Sequence, residues 1–354
     1  MVRVSLSAVL VLTVVACSVA QEGYDPASTV RQTSTLRPES IAAAARYSAE
    51  HGGVSLLVMI GAEIVFEDYP NEGGSDRASE LASGTKSFSG VMAAAAAADG
   101  LLDLDEAVSG TITEWQDDPA KAEMTIRQLL SLTGGQRTGS ERGRVPTYAA
   151  ALEVPMVTRP GEQFSYGAAP FQVFGEVMRR KLDGCPLEYM QRRVFVPIGL
   201  EYGRWRRGVD GNPHLPSGAA LTARDWAKLG ELMRLGGDWE GEQIIPRELL
   251  DQCLAPSSAN PCYGLTWWLA RPAARRQLST GDDLSRLLAL TARIPGVPDD
   301  LFLAGGLGGQ RLYVSREMDM VVVRQASGVL YHLLGRRQMT FSDLVFMRTL
   351  MAGD

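Results

Sequence analysis

Hydrophobic and polar positions change period along the chain. Helical spacing from Glu39 to Glu50 halts at Gly52-Gly53. Strand-like runs follow at Val54 to Ile60 and Glu63 to Tyr69, with a tight turn at Gly61-Ala62 between them. A polar loop rich in Gly and Asp leads to Ser83. Beyond it, Val91-Met92 and the alanines Ala93 to Ala98 predict a long helix with a small face, stopped by Asp99-Gly100. Leu101 to Val108 reads as a short amphipathic connection. Met124 to Leu132 reads as a short helix ending in Thr133-Gly134-Gly135.

From Tyr148 to Leu235 the pattern is helical with long loops, clearest at Gln172 to Leu182, Leu187 to Val194 and Thr222 to Leu235. Thr222, with Asp225 three residues on, is a helix start signal. Strand patterns return at Tyr263 to Ala270, Gln310 to Val314 and Asp319 to Gln325. A closing helix runs from Thr340 to Met351, with Thr340 and Asp343 as its capping pair. The strands therefore lie at both ends and the helices in the middle. An α+β fold follows: an antiparallel sheet built from both termini, flanked by helices, with a mostly helical region inserted between its strands. On this reading the domain covers residues 38–352, its sheet-bearing part about 38–82 and 262–352 and its helical part about 83–261. Ser83 falls at their junction, where clefts form.

The first residues change the picture of where the protein works. Arg3, the apolar run Val4 to Val15 and the small residues Ser18-Val19-Ala20 make Met1 to Ala20 a secretory signal. The apolar run is too short for a permanent span. Val14-Val15-Ala16-Cys17 also matches a bacterial lipoprotein box, which would anchor the protein to a membrane through Cys17. Either route predicts export, periplasmic or secreted, and residues 21–37 read as a polar lead-in. The net charge of −6 argues against nucleic acid and anionic membranes as partners. Cys253 and Cys262 are permitted to pair in an oxidising compartment, leaving Cys185 over. His51, His214 and His332 are isolated, with no metal-ligand spacing, so neither metal nor cofactor is expected. His214, in the loop Gly211-Asn212-Pro213-His214-Leu215-Pro216, and Trp205 are candidates for the border of a cleft. Both are equally readable as surface packing.

Candidate chemistry concentrates at Ser83-Gly84-Thr85-Lys86. A lysine three residues after a serine sits one helical turn away on the same face. The helix start offers backbone N–H groups able to hold an oxyanion. A buried lysine loses its charge readily and can take the hydroxyl proton. Of 35 basic residues only Lys86, Lys121, Lys181 and Lys228 are lysines, and arginine cannot serve as a base. The plainer alternative makes Ser83 a helix cap and Lys86 a solvated side chain.

Two further stretches favour the chemical reading. With Ser83-Gly84-Thr85-Lys86, they are Pro160-Gly161-Glu162-Gln163-Phe164-Ser165-Tyr166-Gly167-Ala168 and Ala304-Gly305-Gly306-Leu307-Gly308-Gly309-Gln310. In order and spacing the chain resembles the serine β-lactamase and penicillin-binding-protein family, in the class C β-lactamase-related branch that includes esterases and 6-aminohexanoate-dimer hydrolases. The resemblance covers roughly residues 40–350. It implies Ser83 as nucleophile, Lys86 and Tyr166 jointly as base and proton relay, and the backbone N–H groups of Ser83 and Leu307 as oxyanion hole. It also places Gly305 and Gly306 on an edge strand beside substrate. Without it, Tyr166 reads as a core residue beside Phe164 and Phe171, and the glycines after Ala304 as a hairpin loop.

The departures are informative. Where the family carries Tyr-x-Asn and Lys-Thr-Gly, this chain has Ala168 for the asparagine, and Ala304 and Gly305 for the lysine and threonine. Unless a neighbouring arginine substitutes, a substrate carboxylate loses a charge-assisted bond worth about 1.5–3 kcal/mol. The expected substrate is therefore a small-molecule ester or amide lacking that carboxylate. A true β-lactamase or D-alanyl peptidase is the nearest alternative. A binding protein with a decayed site is the alternative from another class.

Overall fold

The computed structural model describes residues 36–137, 145–272, 283–329 and 340–352; the signal segment with Cys17, most of the lead-in and His332 lie outside them. Strands form where β-branched residues run together. Met320–Ala326 is buried along its whole length, and Val54 to Val58 are buried in succession, as suits strands covered on both faces. Across the sheet the order is Glu63–Asp68, Gly53–Ile60, Met320–Ala326, Gln310–Ser315, Phe302–Gly306 and Trp268–Leu269, antiparallel throughout. The central pairing, Leu57 opposite Val323, joins the two ends of the chain. This is the α+β sheet that the hydropathy pattern predicts.

Alternation then assigns the faces. Arg311, Tyr313 and Arg324 reach toward Ser48 of the helix Pro38–Glu50 and Asp343 of the helix Asp343–Ala352. Leu312, Val314 and Val321 face the other way, onto the helix Ala223–Arg234. Gly230 makes that contact close: a Cβ there would stand 2.7 Å from Leu312 Cδ1. Thr222 caps this helix by accepting from the Asp225 N–H at 3.0 Å, as expected. Beyond it lies the helix Ser87–Ala98, buried from Ser87 to Ala96, which its small side chains allow on every side. The helix Ala169–Leu182 is a second buried helix of the inserted region.

Several local expectations need correction. Tyr263 to Ala270 contributes only Trp268–Leu269 to the sheet, because Thr266 at φ 70° breaks the run and Tyr263 folds back to bridge Trp268. Leu187 to Val194 divides into an α-helix, Pro186–Met190, and a π turn, Gln191–Phe195. The pattern also passed over the helix Asp283–Thr291. Thr340 and Asp343 do not cap the last helix. Thr340 is exposed, and the Asp343 carboxylate is buried against Arg311 and Tyr313. The pairing of Cys253 with Cys262, which an oxidising compartment would permit, is not made: Cys253 is a free, buried thiol.

Candidate active site

Ser83 lies in a 3-10 turn, Ala82–Lys86, that runs into the helix Ser87–Ala98, and not in the first α turn that its sequence predicts. The turn is tied down both from within and from a distant part of the chain. Thr85 Oγ1 donates to Ala82 O at 2.8 Å and accepts from the Ala219 N–H at 3.2 Å. Ala82 holds φ at 47°, a left-handed conformation that costs an alanine energy and sits directly before the serine. Half-buried Ser83 is thereby raised at the end of a buried element.

Lys86 is 4% exposed, and its Nζ is 3.0 Å from Ser83 Oγ and 3.1 Å from Pro216 O. Burial without a carboxylate partner disfavours the charged amine and lowers its pKa to about 7. The amine also stands 4.9 Å from the Tyr166 ring centroid and 5.3 Å from that of Phe171. Tyr166 remains open to solvent at its rim, being 37% exposed. Behind it, ring centroids of Trp268, Tyr263 and Phe164 lie at 5.3, 6.3 and 6.4 Å. Phe164 and Phe171 are core, whereas Tyr166 is not. Ser83 and Lys86, neighbours in the chain, thus share one site with the distant Tyr166.

The strand Phe302–Gly306 forms its other wall. Trp268–Leu269 pairs only with Phe302 and Leu303, so the edge from Ala304 onward is left uncovered by that strand. Gly306 lies against the Ala82–Lys86 turn: a Cβ there would stand 2.1 Å from Leu81 O and 3.0 Å from Gly84 N. Only glycine permits this approach. The next residues, Leu307 to Gly309, turn back into Gln310–Ser315, with Gly308 and Gly309 at φ 82° and 83°. Both the edge strand and the hairpin loop foreseen for this stretch are therefore present. Leu307 is 39% exposed, and Gly305 pairs with Arg311.

Other candidates stand apart. The described contacts of His214 run through its backbone, whose carbonyl accepts from Trp205 Nε1 at 3.1 Å and from the Gly218 N–H at 2.9 Å. Its Nδ1 is buried without a hydrogen-bond partner, and burial lowers its pKa. Trp205 is core, edge-on to Phe88 at 5.4 Å. Ala304 is fully buried and Ala168 precedes a helix, so neither offers a charge. Arg311 does not replace the missing lysine, because its guanidinium is committed to Asp343 at 2.6 and 2.8 Å. Among the described residues no cluster of His, Cys, Asp and Glu suits a metal ion. Sequence reasoning missed Pro216, whose contribution is a backbone carbonyl that no residue type announces. Tyr263 and Trp268 were missed as supports of Tyr166, although their aromatic density beside a strand end was visible.

The chain is similar to known proteins. A lovastatin esterase of Penicillium rubens is 26% identical in a stretch that covers 34% of this chain and 37% of that protein, so the chain spans well under two thirds of that relative. A penicillin-binding protein homologue from Caulobacter crescentus superposes with a TM-score of 0.66 at 15% identity, covering 90% of this chain and 98% of the other. EstCE1, a hydrolase with promiscuous acyltransferase activity, does so with a TM-score of 0.65 at 16% identity, covering 89% and 99%. At these identities the solved structures establish the fold. The sequence profile of the Beta-lactamase family matches residues 39–331, which takes in all three motif stretches, and the chain belongs to that family.

Proposed function

We propose that the protein is a serine hydrolase in which Ser83 is acylated by an ester or amide substrate. The observation that carries this is the buried Lys86 amine, 3.0 Å from Ser83 Oγ, with its pKa lowered to about 7. In the neutral amine the lone pair accepts the Ser83 proton while an N–H stays on Pro216 O. Oγ then attacks the carbonyl, and the resulting oxyanion is held by the N–H groups of Ser83 and Leu307. Tyr166 shares the proton with Lys86, delivers it to the leaving group, and assists the water that cleaves the acyl-enzyme.

The substrate class follows from what the edge strand lacks. Ala304 and Gly305 carry no charge, and Arg311 is paired behind the sheet. An ester or amide without an anchoring carboxylate suits that lining best. The esterase relative and the EstCE1 fold support the same class. Export belongs to this proposal too, through Met1 to Ala20 or through a lipidated Cys17. N-terminal sequencing and mass of the secreted product distinguish those two routes.

The test is intact-mass labelling with a fluorophosphonate, wild type beside Ser83→Ala. One adduct on the wild type and none on the variant supports the proposal. A folded wild type that stays unlabelled overturns it and leaves a binding protein with a decayed site.

A further inference from the structure

The Gly306–Leu307 peptide has an unusual partner. Arg311 Nη1 donates to Gly306 O at 3.0 Å and to Gln310 O at 2.9 Å. The same guanidinium is gripped in a bidentate pair by the fully buried Asp343, which also accepts from Tyr313 Oη at 2.6 Å. Arg324 Nη1 donates to Gly309 O at 2.7 Å, with its guanidinium carbon 3.8 Å above the Phe341 ring. The Gln310 amide bonds Ala326 O and Ala326 N at 2.7 and 3.0 Å. Arg311 and Arg324, on one face of the sheet, therefore hold the carbonyls of Gly306, Gly309 and Gln310, while Gln310 ties the end of the turn to the next strand.

The carbonyl of Gly306 and the N–H of Leu307 belong to one peptide unit. No cis bond occurs among the described residues, so the two groups point in opposite directions. The Gly306 carbonyl also accepts from the Gly309 N–H at 3.2 Å, so it points into the hairpin, where Arg311 joins it, and the Leu307 N–H is directed away from the hairpin. Gly306 itself packs against Leu81 and Gly84 of the neighbouring turn. A cation bonded to the carbonyl also withdraws electron density from the peptide, which makes its N–H a stronger donor.

We propose that Arg311, oriented by Asp343, is a positioning residue for the oxyanion hole: it fixes and polarises the peptide whose N–H, from Leu307, faces the developing oxyanion. The inference rests on the hydrolase reading above and adds to it a charge that acts through the backbone. Substrate binding in the ground state does not need this charge, whereas the tetrahedral stage does.

The triple variant R311M/Y313F/D343L tests it, since it removes the three buried polar partners together and strands none of them. Arg311→Lys, which keeps a positive charge, serves if the triple variant fails to fold. Near-UV circular dichroism selects folded protein. The readouts are p-nitrophenyl butyrate kinetics and inhibition by phenylboronic acid, whose serine adduct is tetrahedral and anionic. We expect the triple variant to lose roughly 10- to 100-fold in kcat and a parallel factor in boronate affinity, with KM within about twofold. Arg311→Lys should lose roughly 3- to 10-fold. A folded variant of either kind that keeps kcat and boronate affinity within about twofold of wild type overturns the proposal. Fluorophosphonate labelling of the wild type separates the two levels: if Ser83 is not labelled, the hydrolase reading itself falls.

Discussion

Lys86 Nζ reaches Pro216 O across 130 residues of chain, at 3.1 Å, while standing 3.0 Å from Ser83 Oγ. The carbonyl takes one N–H and so orients the amine. Once the proton is lost, the lone pair is left facing the serine. Base and orienting group thus come from different parts of the inserted region, and the geometry depends on how the loop before Ala219 packs beneath the Ala82–Lys86 turn.

The pH dependence of acylation follows. The protonated ammonium cannot accept the Ser83 proton, and burial lowers the lysine pKa to about 7. The rate of phosphonylation, or kcat/KM for an activated ester, should rise tenfold per pH unit below that point and level off above pH 8. A flat profile between pH 5 and 8 would remove Lys86 from the role of base.

Stability should carry a signature of the same group in a higher pH window. In the unfolded chain the lysine titrates near its ordinary value of about 10.4. Between about 7 and that value the unfolded state binds more protons, so stability rises with pH across the window. Lys86→Met should abolish acylation yet stabilise the fold by roughly 2–4 kcal/mol at pH 7, the gain fading toward pH 10. Urea unfolding of both proteins from pH 6 to 10 measures it. An equally destabilised variant at every pH would contradict the assignment.

Gly306→Ala tests the approach of the edge strand. The added Cβ would fall 2.1 Å from Leu81 O, so strand and nucleophile turn must separate. Roughly 1–3 kcal/mol of stability should be lost, with at least about a 100-fold drop in kcat, because the oxyanion donors no longer share one position. Activity within a few-fold of wild type would show that the two elements need not touch.

Substrate charge offers a fourth test. Paired esters that differ only by a carboxylate near the acyl carbonyl should separate in kcat/KM by roughly tenfold or more in favour of the neutral member, the scale of one missing charge-assisted bond. Turnover of nitrocefin at a rate matching the neutral ester would reverse the expected preference.

Much of this was legible in the chain. Lys86 sits three residues from Ser83, a local relation that survives whether the turn is 3-10 or α. The sheet from both termini followed from where β-branched runs occur. What stayed hidden depended on tertiary choices. Tyr263 to Ala270 has the apolar density of a full strand, yet Thr266 turns left-handed and only Trp268 and Leu269 pair. Thr340 and Asp343 have the spacing of a capping pair. A buried Arg311 has a stronger claim on the carboxylate than a helix end does, because an unpaired buried charge costs more than an unmade cap. Pro216 acts through its backbone and leaves no mark in the sequence.

The pairing of Gly53–Ile60 with Met320–Ala326 also governs how the molecule is made. Ser55 and Gln325, bonded to each other, are 270 residues apart. Closing such a loop spends chain entropy before the contact returns any energy, and this slows folding. While the chain is being synthesised, the first strand waits without its inner neighbour until the last part of the chain has emerged. The Ala82–Lys86 turn likewise waits for the Ala219 N–H that holds it and for the strand Phe302–Gly306 that packs against it. A chain cut short before Met320 would leave the strand Gly53–Ile60 without the partner it pairs with along its length.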